Sequence, residues 1–148
     1  MRRLIRVFLL TLVFTAIAST TVFAANESEP NNSYQQANFI SQGQAYNGYL
    51  TPGDLDCFRF STARNANQPL YFLPPDNQSY VIGVYDMAQI DTSNGQYVSP
   101  IVYRIASYSA GRLVDVSFTA QAWKSYYIYV FGSVNTTIPY VLILSNQQ

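Results

Sequence analysis

The stretch Gly53-Asp54-Leu55-Asp56-Cys57-Phe58-Arg59-Phe60-Ser61 decides how this chain folds. It leaves a turn signal, Thr51-Pro52-Gly53-Asp54, and enters a run in which Phe58 and Phe60 share one side while Arg59 takes the other. That period of two belongs to a β-strand with one buried face. The same pattern recurs outward from it. Gln44–Leu50, Leu55–Thr62, Leu70–Leu73, Tyr80–Met87, Ile101–Ser107, Leu113–Thr119, Tyr126–Phe131 and Tyr140–Leu144 read as strands. They are punctuated by Arg64-Asn65-Ala66-Asn67, Pro74-Pro75, Asn94-Gly95 and Gly111. Within them Val114, Val116 and Phe118 oppose Asp115 and Ser117, and Tyr140, Leu142 and Leu144 oppose Val141 and Ile143. No stretch past the N-terminal segment keeps a helical period for three turns, apart from a single turn near Ser33–Phe39. The expectation is an all-β domain: one antiparallel β-sandwich or jelly roll of about eight strands.

Composition narrows the chemistry. The chain has no histidine, which excludes Ser-His-Asp and Cys-His catalysis and histidine-ligated zinc. Its one cysteine, Cys57, forbids an intramolecular disulfide. Alternation sets Cys57 on the Arg59 side, as a half-buried bystander or, alternatively, a reactive or dimer-forming thiol. Tyrosine is the outlier, with 13 residues. Such side chains favour strands and build surfaces that are apolar in body and polar at the tip.

The first 24 residues read as a secretory signal. Met1–Arg6 holds three arginines and no acid, Val7–Ala18 is apolar, and Val22-x-Ala24 suits a signal peptidase. The apolar run is short of the roughly 20 residues a bilayer requires. The expected mature domain is 25–148, secreted or periplasmic, with no membrane span. Three of the eight basic residues lie in the signal, leaving five against eight acids, a net charge of −3. That balance offers nothing to a phosphate backbone, so nucleic acid is not an expected partner.

Four of the acids form two short clusters, Glu27-Ser28-Glu29-Pro30-Asn31-Asn32-Ser33 and Gly53-Asp54-Leu55-Asp56, and no Lys or Arg occurs between Arg6 and Arg59. Calcium takes about 6–8 oxygen ligands from carboxylates, amides and backbone carbonyls. Glu27, Glu29, Asp54 and Asp56, with Asn31 or Asn32 and one or two carbonyls, supply such a set if the clusters meet. The alternative is a pair of solvated acidic loops.

These residues also carry a resemblance. Glu27-x-Glu29-Pro30-Asn31-Asn32-Ser33, then Gly48-x-Leu50, then Gly53-Asp54-x-Asp56-x-Phe58-x-Phe60 resembles the opening of the bacterial pre-peptidase C-terminal domain, which is related to the collagen-binding domains of clostridial collagenases. The closing strands, Tyr126-Tyr127-Ile128-Tyr129-Val130-Phe131-Gly132 and Tyr140-Val141-Leu142-Ile143-Leu144, fit its aromatic end. Asn32 stands where many members have Asp, Cys57 stands where an aromatic is usual, and Pro69–Ser109 has no clear match. The resemblance implies a β-sandwich that binds Ca²⁺ between its lead-in and the loop before the second of the eight strands. Glu27, Glu29, Asn31 and Asn32 match the first ligand group, and Asp54 and Asp56 the second.

Three functions are weighed. The first is a non-catalytic binding module for an extracellular protein or polysaccharide. Its platform would be Tyr127, Tyr129 and Phe131, which share a face of one strand; simple cross-strand packing is the alternative. The second is a structural subunit or chaperone-like partner in an extracellular assembly, served by Cys57, Val141, Ile143 and an open sheet edge. Its oligomeric state is not legible. The third is a small hydrolase using Asp54 and Asp56, disfavoured because no nucleophile motif or histidine is present.

Overall fold

The computed structural model describes residues 24–94, 96–107 and 112–148, so the segment read as a signal lies almost wholly outside it, as do Gly95 and Gly111. Twelve strands appear among these residues. They are β1 (Ala25–Asn26), β2 (Asn38–Phe39), β3 (Gln44–Leu50), β4 (Asp56–Ser61), β5 (Ala66–Gln68) and β6 (Leu70–Leu73), followed by β7 (Ser79–Asp86), β8 (Val102–Ser107), β9 (Val114–Asp115), β10 (Phe118–Ala120), β11 (Ser125–Gly132) and β12 (Asn135–Leu144). One five-stranded sheet runs β1-β3-β12-β6-β9, a second runs β2-β4-β11-β7-β8, and β5 pairs with β10 in a ribbon.

The two five-stranded sheets close on one core. Leu50, Phe72, Tyr140, Leu142 and Leu144 come from the first and Phe58, Phe60, Ile82, Val84, Ile128 and Val130 from the second, all essentially without exposure. Aromatic rings fill both ends. Phe72, Tyr80 and Tyr140 have centroids 5.3–5.9 Å apart. Phe60, Phe118 and Tyr126 have centroids 4.9–6.3 Å apart. Such tilted and edge-on pairs add to the burial of apolar area.

All eight expected strands are present, with four departures. Leu113–Thr119 divides into β9 and β10. Asp115 Oδ1 accepts from the Ser117 amide at 2.8 Å, a side-chain turn that bends the chain off β6 towards β5. Tyr80–Met87 stops at Asp86, whose Oδ1 accepts from the Ala88 amide at 2.9 Å and caps a six-residue helix, α1 (Met87–Thr92). The antiparallel expectation fails at two places: β1 pairs parallel with β3, and β2 parallel with β4. The strands β1, β2 and β5 hold only two or three residues, too few to show alternation. The single turn expected near Ser33–Phe39 is a 3-10 helix over Tyr34–Gln36.

β1 and β2 place the site. β1 adds to the edge of the first sheet and β2 to the edge of the second. The chain between them therefore crosses the open side of the sandwich, past the start of β4. Asn38 closes this crossing: its Oδ1 accepts from the Ser28 amide at 2.6 Å and its Nδ2 donates to the Ser28 carbonyl at 2.8 Å.

Cys57 is fully buried rather than half-buried. It does lie on the Arg59 side of β4, yet its in-register neighbour Tyr129 and the buried Tyr127 on β11 roof that side, with Tyr34 packed on Tyr127 at 5.9 Å. Burial pushes the thiol up to about 12. The folded protein should therefore give no colour with an aromatic disulfide reagent at mildly alkaline pH and one equivalent in denaturant; a fast reaction of the folded form would contradict this packing.

Candidate metal centre

Alternation along β4 puts Asp56 on the same side as Phe58 and Phe60, so its carboxylate enters the rim of the core and is fully buried. An unpaired buried carboxylate costs several kcal/mol. Three groups answer for it. The Tyr140 hydroxyl, reaching from β12 across the sandwich, donates a very short hydrogen bond to Asp56 Oδ2 and a longer one of 3.3 Å to Glu27 Oε2. The lead-in brings Glu27 and Glu29 alongside, so that one carboxylate oxygen from each of Glu27, Glu29 and Asp56 lies within 4.8 Å of the others. Asn31, fully buried, sets its side-chain amide among all three.

Backbone bonds hold the lead-in at this point. The Glu27 amide donates to the Asn47 carbonyl at 2.9 Å, and Glu27 Oε1 accepts from the Tyr49 amide at 2.5 Å. The Cys57 amide donates to the Asn31 carbonyl at 2.9 Å, and Glu29 Oε2 accepts from the Asn31 amide at 2.9 Å. Glu27 is thereby fixed to the first sheet and Asn31 to the second.

The Asn31 amide can face the acids in either of two orientations. As placed, its Nδ2 donates to Glu27 Oε2 at 3.3 Å, while its Oδ1 points at Glu29 Oε2 at 3.1 Å and Asp56 Oδ1 at 3.2 Å. In this orientation three oxygens converge. A flipped amide would donate to both carboxylates and satisfy the metal-free form. A cation among the oxygens would favour the opposite orientation, so either state of the site can satisfy the amide. The donor set is all oxygen, which suits calcium rather than zinc.

Two of the expected ligands stand apart from this group. Asp54 braces its own turn: Oδ2 accepts from the Thr51 amide at 3.1 Å and hydroxyl at 3.0 Å, and Oδ1 from the Leu55 amide at 3.0 Å. It acts on the site through its charge, which raises Asp56. Asn32 is exposed, one residue beyond the buried Asn31. The three aromatic positions singled out on β11 also differ from one another. Tyr127 is buried with its hydroxyl donating to Asp91 Oδ1 at 3.2 Å, Tyr129 is half-buried against Tyr85, and Phe131 is exposed.

Tyr140 and Gly48 belong to the site although alignment of acids does not reveal them. A Cβ built on Gly48 would lie 2.1 Å from Tyr140 Cζ, 2.2 Å from its hydroxyl oxygen and 2.7 Å from Glu27 Oε2. Glycine inside a strand often marks such a close approach, and that signal was available in Gly48-x-Leu50.

The site's electrostatics follow from its burial. Desolvation pushes the Asp56 carboxyl from an ordinary 3.8 up to about 8; the charges of Glu27 and Asp54 add to this, and the Tyr140 hydrogen bond opposes it. Glu27 is also raised, chiefly by burial. The metal-free pair therefore keeps a proton at neutral pH.

Among solved structures, the fold is similar to the pre-peptidase C-terminal domain of collagenase from Bacillus anthracis, with a TM-score of 0.50 and 19% identity over 74% of this chain and 94% of that one. No family model and no curated protein matches the chain. The fold is thus an all-β sandwich like that of a pre-peptidase C-terminal domain, with an acidic rim where the lead-in crosses β4. No described helix is long and apolar enough to cross a membrane.

Two outcomes are expected. Gly48→Ala must expel the Tyr140 ring and should cost at least about 3 kcal/mol in denaturant unfolding. Gly53→Ala, with φ of 80° but nothing within 4 Å of its Cβ, should cost about 1 kcal/mol. The second outcome concerns pH. A carboxyl with a raised folded pKa stabilises fully below its unfolded value and loses that contribution as pH climbs to the folded value. The metal-free protein should thus lose stability from about pH 4 to about pH 8, and Asp56→Asn should flatten that slope; a wild-type stability that rises over this range would refute the assignment.

Proposed function

We propose that the chain is an exported, non-catalytic binding module whose N-terminal lead-in is fastened by calcium. The observation that carries this is the convergence of carboxylate oxygens from Glu27, Glu29 and Asp56, within 4.8 Å of one another, beside the fully buried Asn31 side chain. Glu27, Glu29, Asn31 and Asp56 would hold the ion. Asp54 and Asn32 would supply charge or backbone oxygen from the flanks. The ion supplies charge neutralisation in place of the shared proton. Tyr140 orients Asp56 and Glu27, and Gly48 admits Tyr140.

The site does not fit acid–base catalysis. Asp56 is sealed beneath Tyr140 and the lead-in, so no substrate bond can reach it as one must reach a general acid. The reading as a module leaves the ligand as an extracellular protein or polysaccharide, and retention on immobilised collagen, chitin, cellulose and peptidoglycan checks for it.

Calcium binding displaces the proton held by Asp56, so affinity rises with pH. Saturation at about a hundred times Kd should add roughly 2.7 kcal/mol to unfolding stability. Thermal melts of chelator-stripped protein with and without Ca²⁺ should separate clearly at pH 8 and draw together near pH 5. Calorimetric titration in two buffers of different ionisation enthalpy should show proton release. Coincident melts at both pH values with no binding heat would sink the calcium reading.

A further inference from the structure

A groove opens on the outer face of the second sheet, at the side away from the acidic rim's carboxylates. It is lined by Phe39 on β2, Arg59, Phe60 and Ser61 on β4, Met87 at the start of α1 and Ser125 on β11. Phe39 is an edge residue in register with Arg59, and it leaves 62% of its surface in solvent. The two serine hydroxyls bond each other at 2.8 Å.

The charges around this groove are unbalanced. No carboxylate lines it. Asp86, the residue before Met87, is taken by Lys124 Nζ at 2.6 Å and by the Ala88 amide. Asp91, further along α1, accepts from Tyr127. The Arg59 side chain makes no hydrogen bond or ion pair to any described residue, whereas Arg64 donates to the Gln147 carbonyl, Arg104 to the Tyr103 carbonyl and Lys124 to Asp86. A guanidinium is a planar fork matched to a carboxylate, and here it shares the groove with the apolar side chains of Phe39 and Met87.

We propose that this groove docks an extended peptide segment of a partner protein, with a peptide carboxylate on Arg59 and an adjacent apolar side chain between Phe39 and Met87. It rests on the reading of the chain as a binding module and names the partner's chemistry. The charge of Arg59 selects the acid; Phe39 and Met87 select against a bare inorganic anion, which would gain nothing from them.

Met87 reports on the groove. The chain has two methionines, Met1 and Met87, so methyl labelling gives at most two resonances and Met87→Leu assigns them. Titration with N-acetylphenylalanine should shift the Met87 methyl; its amide and inorganic sulfate should shift it far less. Arg59→Gln should weaken the acid at least about tenfold with an unchanged melt, and Arg59→Lys should recover only part of it. Equal shifts from acid and amide, shifts from sulfate as large as from the acid, or an undiminished response in Arg59→Gln would each overturn the groove. Retention on collagen or another immobilised polymer with an unmoved Met87 methyl overturns the groove alone. Loss of both overturns the binding-module reading as well.

Discussion

One buried carboxylate organises this fold. The period of β4 commits Phe58 and Phe60 to the core, and the same period commits Asp56. Its position as the first residue of the strand keeps it at the rim, where other chains can reach it. What reaches it comes from every side. Tyr140 crosses from the opposite sheet, Gly48 clears the path, and the lead-in folds over the opening with Glu27, Glu29 and Asn31. The lead-in is polar and would fray as a free terminus. It is held because its backbone pairs with Asn47 and Cys57, and the Glu27 carboxylate with the Tyr49 amide, on the two strands that flank the opening.

The buried tyrosines follow from the same geometry. A thin sandwich has few positions far from its rim, so a large ring can bury its body and still bring its hydroxyl to a polar partner. Tyr46 bonds the Ser41 amide and Gln44, Tyr126 the Gln121 amide, Tyr127 Asp91, and Tyr140 the acids. Tyr80 is the exception, its buried hydroxyl having no partner among the described residues, and burial pushes its phenol up to about 12. Tyr46, Tyr126, Tyr127 and Tyr140 are interior residues with a tethered end, whereas Tyr97 and Tyr103 are exposed. The open aromatic surface is formed by Phe39, Tyr97, Tyr103, Trp123 and Phe131.

Much of this was legible in the sequence because strand periodicity is a local signal. β3 and β6 fall on their expected bounds, and the faces of β4 and β12 follow from alternation alone. The site was legible only as composition. Spacing could show that Glu27, Glu29 and Asp56 carry oxygen, but their meeting depends on β1 and β2, which are too short to leave a pattern. Asp54 looked equivalent to Asp56 because the two are neighbours in a motif. They differ because the Thr51 turn holds one carboxylate outside while the strand turns the other in. Cys57 was misjudged for a related reason: alternation gives the face, and tertiary cover from Tyr127 and Tyr129 decides the exposure.

The arrangement also bears on how a domain without a disulfide keeps its two sheets registered. Glu27 is fixed to the first sheet through Asn47 and Tyr49, and Asp56 belongs to the second. Whatever sits between their carboxylates is a bridge across the sandwich. A shared proton bridges weakly and only while pH stays below the raised pKa of the pair. The Tyr140 hydroxyl bridges more durably, since it rides on a core strand and touches both acids. A calcium ion, on the reading proposed above, would add a third link to Glu29 and Asn31 and so pin the lead-in as well as the sheets. The three bridges differ in what removes them: alkali for the proton, loss of core packing for the tyrosine, a chelator for the metal. The free-energy cost of burying Asp56 is thus what makes the domain's closure responsive to its surroundings, and an apolar residue at that position would close the sandwich without that response.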